Sequence, residues 1–370
     1  MSKILIVGLP FFPKKYQYAV DAYRELGCEV KVLLNTGDEG KLEAPKSQGL
    51  IEYAGKNNLI RMIIFIKVLI RFRPDNIDCY NYSILSLMYV LLSRAFGVNV
   101  RFWIIGGELV GDRQNSNSNS FLMKVYANVK KKLTWFCLKF TNAIFAKELH
   151  HVDAIKNKLP LAVKKIVQIH NCVPVPDFEP DTRRNLTLDF LYANAVIESR
   201  NVISLINSFH ELQREKIQFR AAIYGFSSIS NEVYAPRGFL YSEVALKHYK
   251  SLNLAKNVEV QGFVKDINQV MKQYRFFVFP SDVILANYAL LEAMSYGLVP
   301  IVYPGNGYDK LVNDGVNGFV AFDNDLAKAF KRALSLSDEE YVNMSKLAYE
   351  TISQNFSMQV WLKKLNSNLR

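Results

Sequence analysis

Short apolar, β-branched runs alternate with longer amphipathic stretches along this chain, and that rhythm constrains its fold more than any other feature. ILIVGL (4–9) leads into a helix-like segment over 16–26, and EVKVLL (29–34) follows Gly27. Near-continuous apolar strands joined by helical crossovers belong to parallel sheets covered on both faces. Further strands are expected at 77–80, 98–105 and 143–146. The pattern restarts at LDFLYANA (188–195), with a helix over 202–212 and strands at 220–225, 257–264, 276–281 and 299–304. Between the halves, CVPVPDFEPDTRRN (172–185) carries three prolines and no periodicity, which reads as a linker. The expected fold is α/β: two doubly wound Rossmann-like domains facing across a cleft, with ligands at the carboxyl ends of the strands. The expected divisions are an amino-terminal domain over 1–173, a linker over 174–187, a second domain over 188–355, and a terminal helix over 356–370 packing back on the first domain.

Charge separates the halves. Residues 1–173 hold 25 basic and 13 acidic side chains, whereas residues 174–370 hold 21 of each, so the whole surplus of +12 lies in the first half. Such a surplus points to a polyanion or an anionic membrane surface. The cysteines at 28, 79, 137 and 172 form no CxxC pair and have no histidine at ligand spacing, so neither a disulfide framework nor a zinc site is expected. No apolar stretch is long enough to span a bilayer. The opening MSKILIVGLPFFPKK reads as a buried strand, because Gly8, Pro10 and Pro13 interrupt any leader-like run. Neither GxxxxGK[ST] nor GxGxxG occurs, which argues against a P-loop kinase or a dinucleotide oxidoreductase. No histidine accompanies a Ser or Cys nucleophile motif, and His150-His151 reads as a satisfied structural pair.

From residue 251 onward several features agree in order and spacing: Val258, Gly262 and Val264; the Pro280-Ser281 strand end; Leu291 to Met294 (Leu-Glu-Ala-Met); Gly297 and Pro300; and Asn317 to Phe319. This text resembles the carboxyl-terminal domain of a glycosyltransferase of family 4 with the GT-B fold. The Arg200-Asn201 dipeptide and the Ile169 to Val173 passage extend the likeness, which covers the second half well and the first in outline. The resemblance implies a nucleotide-sugar donor as substrate, with no cofactor and no metal. It places Glu292, at an expected helix start, on the nucleotide ribose and Arg200 at the phosphates. It also implies donor contacts at Gly8, Gly225, Val264, Asp282, Asn287 and Tyr288. The bland alternatives are a carboxylate interacting with the helix dipole for Glu292 and a solvated helix-terminal arginine for Arg200.

Two departures stand out. Ile284 occupies the place of the family's earlier glutamate, followed by Leu285, Ala286 and Asn287 rather than a glycine-rich loop. The strand end Ala193-Asn194-Ala195 lacks the family's Gly-Arg. Asp282 or Asn287 is the expected substitute for the lost sugar contact, and Ile284 is expected beside the donor sugar. In the first half Gly106, Gly107 and Glu108 resemble the acceptor-side Gly-Gly-Asp of related bacterial transferases, which implies a catalytic role for Glu108 beside Arg200; a loop or cap acid is the alternative. Lys14 and Lys15 stand where paired glycines are common.

RMIIFIKVLIRFR (61–73) and KVYANVKKKLTWFCLKF (124–140) set Arg61, Lys67, Arg71, Lys130, Lys131 and Lys132 beside apolar faces, as a helix resting on an anionic leaflet would. Two core-packed helices with snorkelling cations are the alternative. Nucleic-acid binding is not expected, since no reader module accompanies the charge. The expectation is a cytoplasmic glycosyltransferase, peripheral at the inner face of the membrane, that transfers a sugar to a lipid-linked or glycan acceptor in bacterial surface-polysaccharide assembly. The rivals are a non-catalytic GT-B subunit, and an enzyme moving another phosphate-activated group.

Overall fold

The computed structural model describes residues 1–8, 13–34, 51–53, 55, 57–80, 84–104, 121–180, 186–229, 239–264, 266–285 and 287–367; the side chains of 13–17, 51–53, 121–127, 130 and 131 lie outside that description. The chain divides into two units, Met1–His170 with Trp361–Arg370, and Asn171–Val360.

The first unit is built on seven parallel strands: β1 (Lys3–Val7), β2 (Glu29–Leu34), β3 (Ile51–Tyr53), β4 (Asn76–Cys79), β5 (Asn99–Ile104), β6 (Ala143–Ala146) and β7 (Ile166–Gln168), in the order β3-β2-β1-β4-β5-β6-β7. Ile4 pairs with Val30 on one side and Asn76 on the other. Helices α1 (Pro13–Glu25), α2 (Asn58–Phe72), α3 (Ile84–Ala95), α4 (Phe121–Phe140) and α5 (Leu149–Lys158) connect them. Alternation along the strands divides the core into two faces. Ile77, Cys79, Val100, Phe102 and Ile104 pack with Phe65, Leu69 and Leu138. Asp78, Arg101 and Trp103 fall on the other face, which the apolar run around them did not signal.

There Arg101 Nε donates to Asp78 Oδ1 at 2.6 Å and Nη2 donates to the Tyr23 hydroxyl at 2.9 Å, while that hydroxyl donates to Asp78 Oδ2. All three side chains are buried, Asp78 and Tyr23 completely. Burial pushes the Tyr23 phenol well above its ordinary range; the Arg101 charge opposes this and the Asp78 charge adds to it. Beside this triad Trp103 stacks between Phe145 (4.3 Å between centroids) and Tyr80 (5.4 Å). Trp361, from the terminal helix, lies 5.9 Å from Trp103 and 6.5 Å from Tyr23.

The second unit has six parallel strands, β8 (Leu188–Ala193), β9 (Ala221–Tyr224), β10 (Val258–Gln261), β11 (Tyr274–Phe279), β12 (Val299–Val302) and β13 (Phe319–Val320), ordered β10-β9-β8-β11-β12-β13. Its helices are α6 (Val202–Arg214), α7 (Phe239–Ser251), α8 (Ile267–Met271), α9 (Tyr288–Ser295), α10 (Leu326–Leu334) and α11 (Asp338–Asn355), with α12 (Met358–Asn366) beginning in it. Phenylalanines fill one face: the Phe330 ring lies 4.5 Å from Phe190 and 5.1 Å from Phe209. Relative to its first strand, each sheet has the doubly wound order, reversing at β1/β4 and at β8/β11. This is the two-domain Rossmann-like α/β architecture expected from the sequence.

Strands β3, β7 and β13 were not anticipated, because two or three residues carry no readable period. The proline-rich stretch that reads as a linker is packed: the Val173 N–H donates to the Phe356 carbonyl at 3.0 Å, the Tyr349 hydroxyl donates to the Pro176 carbonyl at 3.0 Å, and Phe178 stacks on Tyr349 at 4.6 Å. Phe178, between Pro176 and Pro180, finds a surface on α11.

Removing one partner of the buried ion pair leaves an uncompensated charge. Arg101→Met should therefore lower stability by about 3–5 kcal/mol in urea denaturation, and adding Asp78→Leu should recover most of the loss.

Candidate functional site

Ligands of doubly wound sheets bind outside the carboxyl ends of the strands, where the strand order reverses. In the second unit that place lies between the exits of β8 and β11. After β9, Gly225 donates its N–H to the carbonyls of Gln261 and Gly262, both at 3.1 Å, and its own carbonyl accepts from the Val196 N–H at 3.2 Å. A Cβ on Gly225 would lie 1.9 Å from the Asn194 carbonyl oxygen, and its φ of +109° suits only glycine. After β8, Asn194 accepts the Ala195 N–H on Oδ1 at 2.8 Å and donates from Nδ2 to Asn287 Oδ1 at 3.3 Å. Asn287 Oδ1 also accepts from the N–H groups of Ala289 (3.1 Å) and Leu290 (3.4 Å), which makes Asn287 the cap of α9.

The Arg200-Asn201 turn reaches the same rim. Asn201 Nδ2 donates to the Pro280 carbonyl at 3.0 Å and to Asp282 Oδ1 at 3.3 Å. Arg200 Nη1 donates to Ser281 Oγ and to the Val283 carbonyl at 3.5 Å, and its guanidinium lies 4.9 Å from the Phe279 ring centroid. From β12, the Asn306 N–H donates to the Asp282 carbonyl at 2.8 Å while its carbonyl accepts from the Ile284 N–H at 3.0 Å.

Two expectations are corrected. Helix α9 begins at Tyr288, so Glu292 stands in its second turn rather than at its start. The overlooked signal is Asn287 itself, a good capping residue just ahead of an apolar run. Glu292 is a buried carboxylate, 7% exposed, and its negative charge adds to the burial that pushes the Tyr296 phenol up. Ile284 is fully buried, as is Leu285, so the chain turns both apolar side chains inward and Ile284 presents no wall to a ligand.

Of the other residues singled out from sequence, Asp282 is exposed, Tyr288 half-buried and Val264 exposed in the segment that follows β10. Gly8 follows β1 in the first unit with a φ of +70°. Gly106, Gly107, Glu108 and the side chains of Lys14 and Lys15 lie outside the described residues. Sequence reading missed Asn194, Asn201, Ser281 and Asn306 as the fasteners of this rim. In the first unit, Lys147, Glu148 and His151 are buried just beyond β6. His151 Nδ1 accepts the Glu148 N–H at 3.3 Å, and a His170 ring nitrogen lies 2.6 Å from the Lys147 carbonyl.

On the outer helices Lys67, Arg71 and Lys132 are exposed, while the side chains of Lys130 and Lys131 lie outside the description. Arg61 is half-buried, with Nε donating to the Gly55 carbonyl at 3.0 Å. Large apolar side chains are exposed beside them: Leu59, Ile63 and Ile70 on α2, and Val129, Phe136 and Phe140 on α4. Among the described residues no helix is long and apolar enough to cross a membrane.

The tight seat of Gly225 under Asn194 is testable. Gly225→Ala forces a backbone shift and a disfavoured φ, so it should cost about 1–3 kcal/mol in a denaturant titration.

Known proteins similar to this chain share its fold. Residues 179–351 match the family model described as glycosyl transferases group 1. Over 122 residues the chain is 30% identical to the UDP-Gal:alpha-D-GlcNAc-diphosphoundecaprenol alpha-1,3-galactosyltransferase of Escherichia coli, a match spanning 33% of this chain and 32% of that enzyme. It is 25% identical over 289 residues to the capsular polysaccharide biosynthesis glycosyltransferase CapH of Staphylococcus aureus, covering 74% of this chain and 72% of CapH. The crystal structure of Anabaena HepE in complex with UDP and glucose superposes with a TM-score of 0.74 at 15% identity, over 100% of this chain and 99% of HepE. The chain thus has the two-domain fold of GT-B glycosyltransferases, and its residues 179–351 are similar to glycosyl transferases of group 1.

Proposed function

We propose that the protein is a nucleotide-sugar-dependent glycosyltransferase of family 4. It moves a sugar, with retention of anomeric configuration, to a lipid-linked or glycan acceptor in the assembly of a bacterial surface polysaccharide such as O-antigen or capsule. The observation that carries this reading is that Arg200 and the capped start of α9 are fastened at neighbouring strand exits, with Glu292 buried one turn into that helix. A carboxylate one turn into the helix can accept hydrogen bonds from both ribose hydroxyls of a nucleotide. A guanidinium at the β11 exit stabilises negative charge on a departing nucleoside diphosphate. The acceptor is assigned to the first unit, past Gly106 to Glu108, and the reaction uses no metal and no bound cofactor. The names of the two curated relatives, one specifying a diphosphoundecaprenol-linked acceptor and the other capsular polysaccharide, support the acceptor class.

Ile284, which is fully buried, stands where the resembled family has its earlier glutamate, and this favours a second reading, a non-catalytic subunit binding a partner transferase or glycan. A nucleotide-sugar panel with lipid-linked and oligosaccharide acceptors separates the two: turnover with any pair establishes the enzyme, and glycan binding with no turnover establishes the subunit. Within the panel, Glu292→Gln should weaken donor binding by about 1.5–3 kcal/mol while the fold persists, since a hydrogen bond to a charged group is lost. Unchanged affinity in folded Glu292→Gln would remove Glu292 from the ribose.

We also propose that the protein works in the cytoplasm at the inner leaflet, seated through α2 and α4. Exposed Ile63, Ile70 and Phe136 alternate there with Lys67, Arg71 and Lys132, and neither helix contains an acidic residue. The protein should sediment with vesicles containing anionic lipid at low salt and release as salt screens the attraction. Equal sedimentation with neutral vesicles would leave the charge without a role.

A further inference from the structure

Asn194 and Asn287 face each other across the point where the strand order of the second unit reverses. Neither is the residue expected from the family resemblance, which has Gly-Arg at the end of β8 and a glycine-rich loop before α9. Asn194 is held at its base: its Oδ1 accepts the Ala195 N–H at 2.8 Å, and its backbone carbonyl closes over Gly225 so tightly that no side chain fits between. Its remaining amide group points across the crevice and donates to Asn287 Oδ1 at 3.3 Å. That same oxygen takes the first free N–H groups of α9. The start of α9 is therefore fastened to β8, a neighbour in the sheet but 93 residues distant in sequence, through one amide–amide bond. In sheet order, Gln261 and Gly262 bond to Gly225, Gly225 bonds to Val196 and packs under the Asn194 carbonyl, and Asn194 bonds to Asn287.

We infer that Asn194 is a positioning residue for the nucleotide-sugar donor, acting through Asn287. This rests on the reading of Glu292 as the ribose contact. Glu292 lies five residues beyond Asn287 on the same short helix, so whatever fixes the cap fixes the depth and rotation of that carboxylate. Without the clasp, the cap keeps its bonds to Ala289 and Leu290 but loses its lateral anchor. The start of α9 then moves relative to Arg200, which is fastened separately to the β11 exit through Ser281. A neutral amide suits this task, because a carboxylate at position 194 could not donate to Asn287 and would repel a diphosphate.

The test is a double-mutant cycle on the full-length chain, with Asn194→Ala, Asn287→Ala and their combination. The readings are affinity for UDP, GDP, ADP and dTDP, and kcat and KM with the sugar donor that turns over. Asn194→Ala should weaken the bound nucleotide and raise the donor KM about three- to tenfold, with kcat little changed. In the Asn287→Ala background the same change should cost much less, because the partner through which Asn194 acts is gone. Should Asn194→Ala not fold, Asn194→Ser repeats the cycle: it keeps a hydroxyl beside Ala195 but lacks the reach to Asn287. Additive effects, or a fall in kcat at unchanged KM, would overturn the positioning role. A wild-type chain that binds none of the nucleotides would overturn the reading of the donor site, and the inference with it, whereas wild-type binding with additive mutants sinks the inference alone.

Discussion

Where the strands of a buried parallel sheet end, peptide N–H and C=O groups run out of ladder partners while still close to the core, and each needs another. In the second unit the neighbouring exits supply one another. Gly225 serves the exits of β8 and β10 at once, Asn306 serves that of β11, and Asn201 and Arg200 reach over from the turn after β8. This mutual satisfaction turns a set of loops into a fixed rim. The candidate donor residues inherit their positions from it, since Arg200 is fastened through Ser281 and Glu292 through the cap of α9.

The first unit meets the problem of buried polarity differently. Arg101 and Asp78 lie in the middle of adjacent strands, on the face opposite Phe102 and Ile77, and they pair directly and through the Tyr23 hydroxyl. Desolvating two charges is costly, so such a pair is weak evidence for stability, although losing one partner is severe. What the triad does do is tie α1 to two strands. Along β5 the same alternation presents Trp103 beside Arg101, and Trp103 is the surface on which Trp361 rests. The last helix therefore has its anchor in the first unit although it begins in the second.

Charge and apolarity are divided unevenly along the chain. Helices α2, α3 and α4 contain no acidic residue, and α2 and α4 expose isoleucine and phenylalanine beside lysine and arginine. A helix whose outer face served only water would not be expected to keep such side chains together. The second half, with balanced charge, holds the segment similar to glycosyl transferases of group 1.

The α/β class, the doubling of the domain and the positions of most strands were legible in the sequence, because a strand buried on both faces must be a nearly continuous apolar run and the helices between must be amphipathic. Arg200 and Glu292 were singled out in the sequence through the family resemblance, whose motifs are local. The inward turn of Ile284 was not: an apolar residue in a loop can face a ligand or the core, and only the packing around it decides. Nor was the start of α9, which depends on Asn287 finding N–H groups ahead of it and Asn194 beside it. Pairs such as Arg101 with Asp78, or Asn194 with Asn287, join positions 23 and 93 residues apart. Sequence alone determined which segments become strands and helices, since that follows from periodicity within a dozen residues; tertiary structure decided which polar groups meet at their ends, because strand order in the sheet, not distance along the chain, sets those neighbours.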